Sequence, residues 1–149
     1  SSGAKDWKLE IIGHGKDEKL YKDLVKRRNI PDVFFLGRRN PIPYYKNASI
    51  FLMTSISESW GLTLTESQQM GCVPIAFDTY PTLRDIITDG EDGLVIEKNN
   101  VDTYVQKLLE LMSDVKMRNI MARKGLESCK RFSQEIIVKE WWNLLNNLM

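Results

Sequence analysis

Two carboxylates with seven residues between them, Glu58 and Glu66, bracket a glycine and a short helix-forming run in the stretch Ser55-Ile-Ser-Glu-Ser-Trp-Gly-Leu-Thr-Leu-Thr-Glu-Ser. Leu62, Glu66 and Met70 recur at a helical period, and Gly71 closes the pattern as a C-cap glycine does. A helix that opens after Gly61 leaves the N–H groups of Leu62, Thr63 and Leu64 without intrahelical acceptors at the positive end of its dipole. Such an opening holds anions. Gly61 lets a ligand approach the backbone closely. Glu66 lies about one turn in, and helical side chains lean towards the N-terminus, so its carboxylate returns to the same mouth. A carboxylate beside a phosphate is repelled, so its natural partners are hydroxyls. Donors for an anion and two acceptors for hydroxyls in one small volume match the groups of a sugar nucleotide.

The elements that must position these groups are legible on either side. Ile50-Phe51-Leu52-Met53 before the loop and Val73-Pro74-Ile75-Ala76-Phe77 after the helix are apolar runs of strand length. Strand, loop, helix, strand is the unit of a parallel sheet, and Glu58 then falls at a strand's carboxyl end, where open α/β sheets bind ligands. Upstream, Trp7–Ile12 reads as a buried strand, followed by Gly13-His14-Gly15. Lys16–Arg28 reads as an amphipathic helix with Leu20, Leu24 and Val25 inward, broken by Pro31-Asp32. Val33–Leu36 is a second strand, ending in Gly37-Arg38-Arg39, and Pro41–Asn47 a short helix. Downstream, Thr82–Ile87 is a short helix, Thr88-Asp89-Gly90 a turn, and Gly93–Ile96 the last strand. Helices follow at Val101–Ser113, with Tyr104, Leu108, Leu109 and Leu111 as its apolar set, and at about Val115–Cys129. Ser133 caps a final helix bearing Ile136, Ile137, Trp141, Leu144, Leu145 and Leu148, a stripe that reads as core. There is no internal repeat, and 1–149 reads as a single α/β domain with 133–149 as its C-terminal helix.

Ser55-x-x-Glu58-x-Trp60-Gly61-Leu62-x-Leu64-x-Glu66, followed by Gly71-x-x-Pro74-Ile75, resembles the donor-binding C-terminal lobe of the retaining glycosyltransferases of family 4, which have the GT-B fold. The resemblance covers nearly the whole chain. It takes in Leu9-Glu-Ile-Ile-Gly-His-Gly15, Val33-Phe-Phe-Leu-Gly37, Tyr44-Tyr-Lys-Asn-Ala48 and Asp89-Gly-Glu-Asp-Gly-Leu-Val95. Each piece alone is weak; their order and spacing are specific. The implied architecture is a Rossmann-like open parallel sheet flanked by helices.

The resemblance also implies roles. Glu66 matches the glutamate that accepts from the donor's ribose hydroxyls, and Glu58 the one that contacts the transferred sugar. Gly61, Leu62 and Thr63 would donate backbone N–H groups to the diphosphate. Trp60 stands where the family usually has Phe; it walls the sugar pocket or is a core aromatic. Gly13, His14 and Gly15 line the cleft near the donor, although a solvated loop is the ordinary reading of a lone His. They do not form a dinucleotide fingerprint, because the third glycine and the distal acid are missing. Gly37, Arg38 and Arg39 match the loop that brackets the nucleobase. The final helix often crosses back to the other lobe in relatives, which would leave part of its stripe exposed.

The chain also departs from the family. The family's lobe begins one strand and one helix earlier, with a Gly-Arg segment and a Lys that help bind the donor phosphates. That first strand is central in a doubly wound sheet, so its absence leaves a gap or forces the flanking strands together. The N-terminal lobe, with the acceptor site and in many members a catalytic His, is absent as well. The sequence therefore reads as part of an enzyme that is inactive alone.

Composition sets the remaining bounds. Among 149 residues, 21 basic and 20 acidic side chains leave a net charge of +1, too little to attract nucleic acid or an acidic membrane over a broad face. No apolar run approaches the ~20 residues of a membrane span and no signal peptide is evident, which points to the cytoplasm, with any contact at the membrane's inner face made through the missing part. Cys72 and Cys129 read as reduced thiols. Ser1-Ser2-Gly3 reads as a cloning remnant. There is no Asp-x-Asp and no metal cage, and Asp89 with Asp92 reads as a turn. The expected substrates are a nucleoside-diphosphate sugar, UDP-linked in preference to GDP-linked, and an acceptor glycan or lipid-linked sugar; no cofactor is expected. Two rivals remain. A GT-B epimerase would need acid/base residues beyond the two glutamates. A receiver-like interaction module would need an acidic pocket at its strand ends, where this chain has Gly-His-Gly, Gly-Arg-Arg and Ser-Ile-Ser-Glu instead.

Overall fold

A computed structural model describes residues 6–148, so the reading of Ser1-Ser2-Gly3 lies outside the described residues. Among the described residues, five strands and seven α-helices follow in the order the apolar runs prescribe, alternating as far as β5. They are β1 Leu9–Ile12, α1 Glu18–Arg27, β2 Val33–Gly37, α2 Ile42–Tyr45, β3 Ile50–Met53, α3 Leu62–Gln69, β4 Val73–Asp78, α4 Leu83–Ile86, β5 Leu94–Glu97, α5 Val101–Ser113, α6 Val115–Ser128 and α7 Gln134–Leu148. A 3-10 turn, Cys129–Phe132, joins α6 to α7. The first strand starts at Leu9, two residues after the sequence places it.

All strand pairing is parallel, but it forms two sheets. β1 pairs with β2, and β3, β4 and β5 pair in that order. No ladder joins β1 to β3. Of the two outcomes the sequence left open, a gap or flanking strands forced together, the described residues show the gap.

The three-stranded sheet carries the core. β4 is central, and Val73 through Ala76 are buried on both of its faces, which is why it reads as an unbroken apolar run. On one face Ala76 and Val95 meet Leu64 of α3 and Leu83 and Ile86 of α4. On the other, Ile75 and Ile96 meet Tyr104 and Leu111 of α5 and Met121 of α6. The Tyr104 hydroxyl donates to the Ile75 carbonyl at 2.9 Å, so its burial leaves no orphaned polar group. Caps fix where the helices begin. Asn100 Oδ1 accepts from the Thr103 N–H at 3.1 Å and Asp114 Oδ1 from that of Met117 at 2.9 Å. Ser133 Oγ accepts from the Ile136 N–H at 3.4 Å at the start of α7.

Four apolar expectations fail. β1 is not the buried strand its apolar run suggests: Leu9 is 39% and Ile11 38% exposed, because a two-stranded sheet leaves a face uncovered. Leu20 is 57% exposed, because no other element packs closely on α1 among the described residues; Leu24 and Val25 are half-buried. Leu109 is 41% exposed at the margin of α5. The α7 stripe is not core. Trp141, Leu144, Leu145 and Leu148 are all more than half exposed, and only Ile137 of the stripe is half-buried. α7 touches the body through the turn Cys129–Phe132, and nothing else described covers its apolar face.

Candidate functional site

The loop from Thr54 to Trp60 leaves the carboxyl end of β3 and enters α3 through Gly61, whose φ of 83° and ψ of 51° are left-handed. A side chain is excluded there twice over. The conformation is costly for any residue with a Cβ, and a Cβ would stand 2.5 Å from the Tyr80 hydroxyl. No side chain caps α3. Leu64 donates its N–H to the Gly61 carbonyl at 2.8 Å, which removes it from the three amides the sequence offers and leaves those of Leu62 and Thr63. At the far end, Gly71 (φ 84°) donates to Gln68 and Cys72 to Ser67, a Schellman closure that fixes the helix at eight residues.

α3 is divided between core and opening. Leu64, Thr65, Ser67 and Gln68 are buried, whereas Leu62 and Thr63 are exposed and Glu66, on the same side as they are, is half-exposed. Glu58 is exposed in the loop. Neither glutamate accepts a hydrogen bond or joins an ion pair among the described residues. Both acceptors are unspent, and the opening is not packed shut.

Two buried tyrosines flank the helix start, each in the field of one glutamate. Burial, then Glu58, pushes the Tyr80 hydroxyl up to about 12. Burial, then Glu66 and Cys72, pushes Tyr45 up to about 12. The sequence reading gave neither tyrosine a role. Tyr80 follows the carboxyl end of β4 by two residues, and that placement was the available signal.

Trp60 packs edge-on against Phe132, with ring centroids 5.3 Å apart, so its ring serves the core at the base of the loop. The other expected residues form a separate group. Gly13, His14 and Gly15 are exposed after β1; Gly37 ends β2, and Arg38 and Arg39 follow it exposed. The Gly13 N–H donates to the Gly37 carbonyl at 2.9 Å, which ties these two loops together. The Arg39 side chain donates to the Leu36 carbonyl, also at 2.9 Å, so it is partly committed to its own loop. No hydrogen bond or ion pair joins this group to Glu58, Gly61 or Glu66 among the described residues.

Asp78 at the end of β4 is held by Arg84 at 2.6 Å. Asp92 Oδ1 accepts from the Thr88 N–H at 2.7 Å and Asp89 Oδ1 from that of Val95 at 2.8 Å, so the turn residues shape the entry to β5. Among the described residues no three His, Cys, Asp or Glu side chains gather as metal ligands would. A cavity of about 410 Å³ between β5, α5 and α6 is lined by none of the expected site residues. An open helix mouth with two unspent carboxylates is what the fold offers instead.

Residues 3–128 match the family model of the glycosyl transferases group 1. The chain belongs to that family. Its glycosyltransferase relatives include an uncharacterised glycosyltransferase of Haemophilus influenzae, 30% identical over 94% of this chain and 40% of its own length. The poly(glycerol-phosphate) alpha-glucosyltransferase of Bacillus subtilis is 28% identical over 95% of this chain and 21% of its own. Among solved structures, a point mutant of S. aureus TarM in complex with fondaparinux, alpha-GlcNAc-glycerol and UDP superposes with a TM-score of 0.83 at 26% identity, covering 93% of this chain and 29% of that one. The chain thus spans well under half the length of these relatives. No described helix is long and apolar enough to cross a membrane.

Proposed function

We propose that this chain is the donor-binding lobe of a retaining glycosyltransferase, and that it holds a nucleoside-diphosphate sugar, UDP-linked in preference to GDP-linked. The observation that carries the reading is the opening of α3, where two uncapped amides lie beside Glu66 on one exposed helix side and Glu58 stands unpaired in the adjoining loop. In this reading the Leu62 and Thr63 amides hold the diphosphate, Glu66 accepts from the ribose and Glu58 from the transferred sugar. The TarM relative solved with UDP supports the choice of base. The glycine loops Gly13-His14-Gly15 and Gly37-Arg38-Arg39 border the donor on the base side.

In the transfer, the bond between the anomeric carbon and the diphosphate oxygen breaks, a bond to the acceptor oxygen forms on the same face, and the acceptor hydroxyl loses its proton. Charge gathers on the departing diphosphate, where fixed amide donors count for most; each such donor is worth roughly 3 kcal/mol in comparable sites. We read the reaction as metal-independent from the donor set, since the Asp78 carboxylate is engaged by Arg84 and has no acidic neighbour in sequence with which to share a cation. The acceptor site, for a glycan or lipid-linked sugar in polysaccharide synthesis, belongs to the part of the enzyme beyond this chain. Alone, the chain binds donor and does not turn over. Calorimetric titration with UDP, GDP and their sugars tests this. UDP species should bind weakly, and Glu66→Ala should weaken them further by roughly tenfold, the loss of one to two hydroxyl contacts to a charged acceptor. A flat titration with every nucleotide would end the proposal.

A further inference from the structure

Apart from the Trp60 ring packed against Phe132 at its base, the loop that carries Glu58 has little of its own to hold it. Residues 54–60 form no regular structure, Ile56 is 80% exposed and Glu58 and Ser59 are exposed. Only two hydrogen bonds reach this loop from elsewhere among the described residues, and both come from the β4–α4 connection. The Thr79 hydroxyl donates to the Ser55 carbonyl at 2.7 Å, and the Thr82 hydroxyl to the Ser59 carbonyl at 2.9 Å. The two acceptors stand on either side of Glu58 in sequence. Between the two threonines, Tyr80 is 5% exposed and lies directly beneath Gly61, with its hydroxyl against Met53 Sδ at 3.5 Å. The donor loop is therefore pinned at both ends by hydroxyls and supported from below by a buried ring.

We propose that Thr79 and Thr82 are positioning residues that set Glu58 for the transferred sugar, with Tyr80 holding the Gly61 turn beneath them. The inference rests on the reading of the α3 mouth given above. The geometry separates two functions. The diphosphate amides belong to a helix that the core holds through Leu64, whereas Glu58 depends on side chains from a different connection. Loss of the two hydroxyls frees the sugar contact and leaves the phosphate contact in place.

The test uses Thr79→Val with Thr82→Val, and Thr79→Ser with Thr82→Ser as the variant that keeps both hydroxyls. Backbone amide order parameters of the free protein should fall across Ser55–Trp60 in the valine variant, from the range of rigid backbone (about 0.85) towards that of a flexible loop (about 0.6), with β4 unchanged. The gain in affinity of UDP-glucose or UDP-N-acetylglucosamine over UDP should vanish, while UDP itself binds within about twofold of the parent, and the serine variant should behave as the parent. Unchanged order parameters in the loop overturn the clamp without reference to any ligand. A loosened loop with an intact sugar-dependent gain, or an equal loss of UDP and UDP-sugar, overturns the positioning role. A parent chain that takes no uridine nucleotide overturns the reading of the mouth instead.

Discussion

The unit β1–α1–β2 and the body built on β3, β4 and β5 follow the same recipe, parallel strands joined through helices, yet they differ in what they bury. Every fully buried side chain described lies at or beyond Tyr45. In the N-terminal unit Leu9, Ile11, Leu20, Tyr21, Ile30 and Phe34 all remain 38–57% exposed. The body has a central strand flanked on both sides and covered on both faces; the two-strand sheet has neither. One link between them is the Arg118 guanidinium, stacked on Trp7 at 5.0 Å while it donates to the Leu111 and Met112 carbonyls at the end of α5. A two-stranded sheet does not bury enough to stand alone, so the small unit depends on such contacts. The lesson for function is that the Gly61 mouth sits on the rigid half and the glycine loops on the soft half.

The largest break in this comparison comes from the core. Ile75→Ala on the central strand should cost about 2–5 kcal/mol in urea unfolding, whereas Ile11→Ala on β1 should cost roughly 1 kcal/mol or less, because much of its side chain already meets water. Equal losses would show that the two halves are one cooperative core. Glycine substitutions sharpen the same contrast. A Cβ at Gly93 would lie 2.7–2.9 Å from the Pro74 ring and carbonyl and from Ile87, while one at Gly15 meets nothing within 4 Å. Gly93→Ala should therefore destabilise by roughly 1–3 kcal/mol, and Gly15→Ala should leave thermal unfolding within about 0.5 kcal/mol of the parent.

Alkaline pH probes the body alone. Burial pushes the Cys72 thiol up to about 11, while Cys72 donates to the Tyr45 carbonyl at 3.1 Å. A folded pKa above the unfolded one means stability that is complete below pH ~8.5 and falls as pH rises to about 11, by roughly 2 kcal/mol for this one group. Tyr45 and Tyr80 continue the fall towards pH 12. Melting temperature measured from pH 7 to 11 should drop, and Cys72→Ala should flatten the slope between pH 9 and 11. An unaltered slope would show that the thiol ionises freely.

The same division explains what was legible in the sequence. Ile50–Met53 and Val101–Ser113 were read to the residue, because an apolar run in a covered strand or a capped amphipathic helix states its limits locally. Leu20 and, on its core reading, the α7 stripe were misread as inward because periodicity marks a face that wants cover without saying that cover is present; the family resemblance had implied that part of that stripe stays exposed. The split between β1 and β3 was foreseen only as one of two outcomes, since strand order depends on a partner outside the local pattern. Around the start of α3, the placement of Glu58 in the loop, Gly61 at the turn and Glu66 one turn in was legible from spacing. Tyr80, Thr79 and Thr82 were not, because they reach the loop across 19 to 24 residues of chain through backbone carbonyls that carry no signature of type.

The amide resonances of Leu62 and Thr63, followed while UDP is added, report whether a diphosphate sits at the start of α3. Both should move together at a single weak Kd, by more than any amide of β1 or β2, and uridine without phosphate should leave them in place. Shifts confined to the β1 and β2 loops, or equal shifts with uridine, would contradict a diphosphate held at the start of α3.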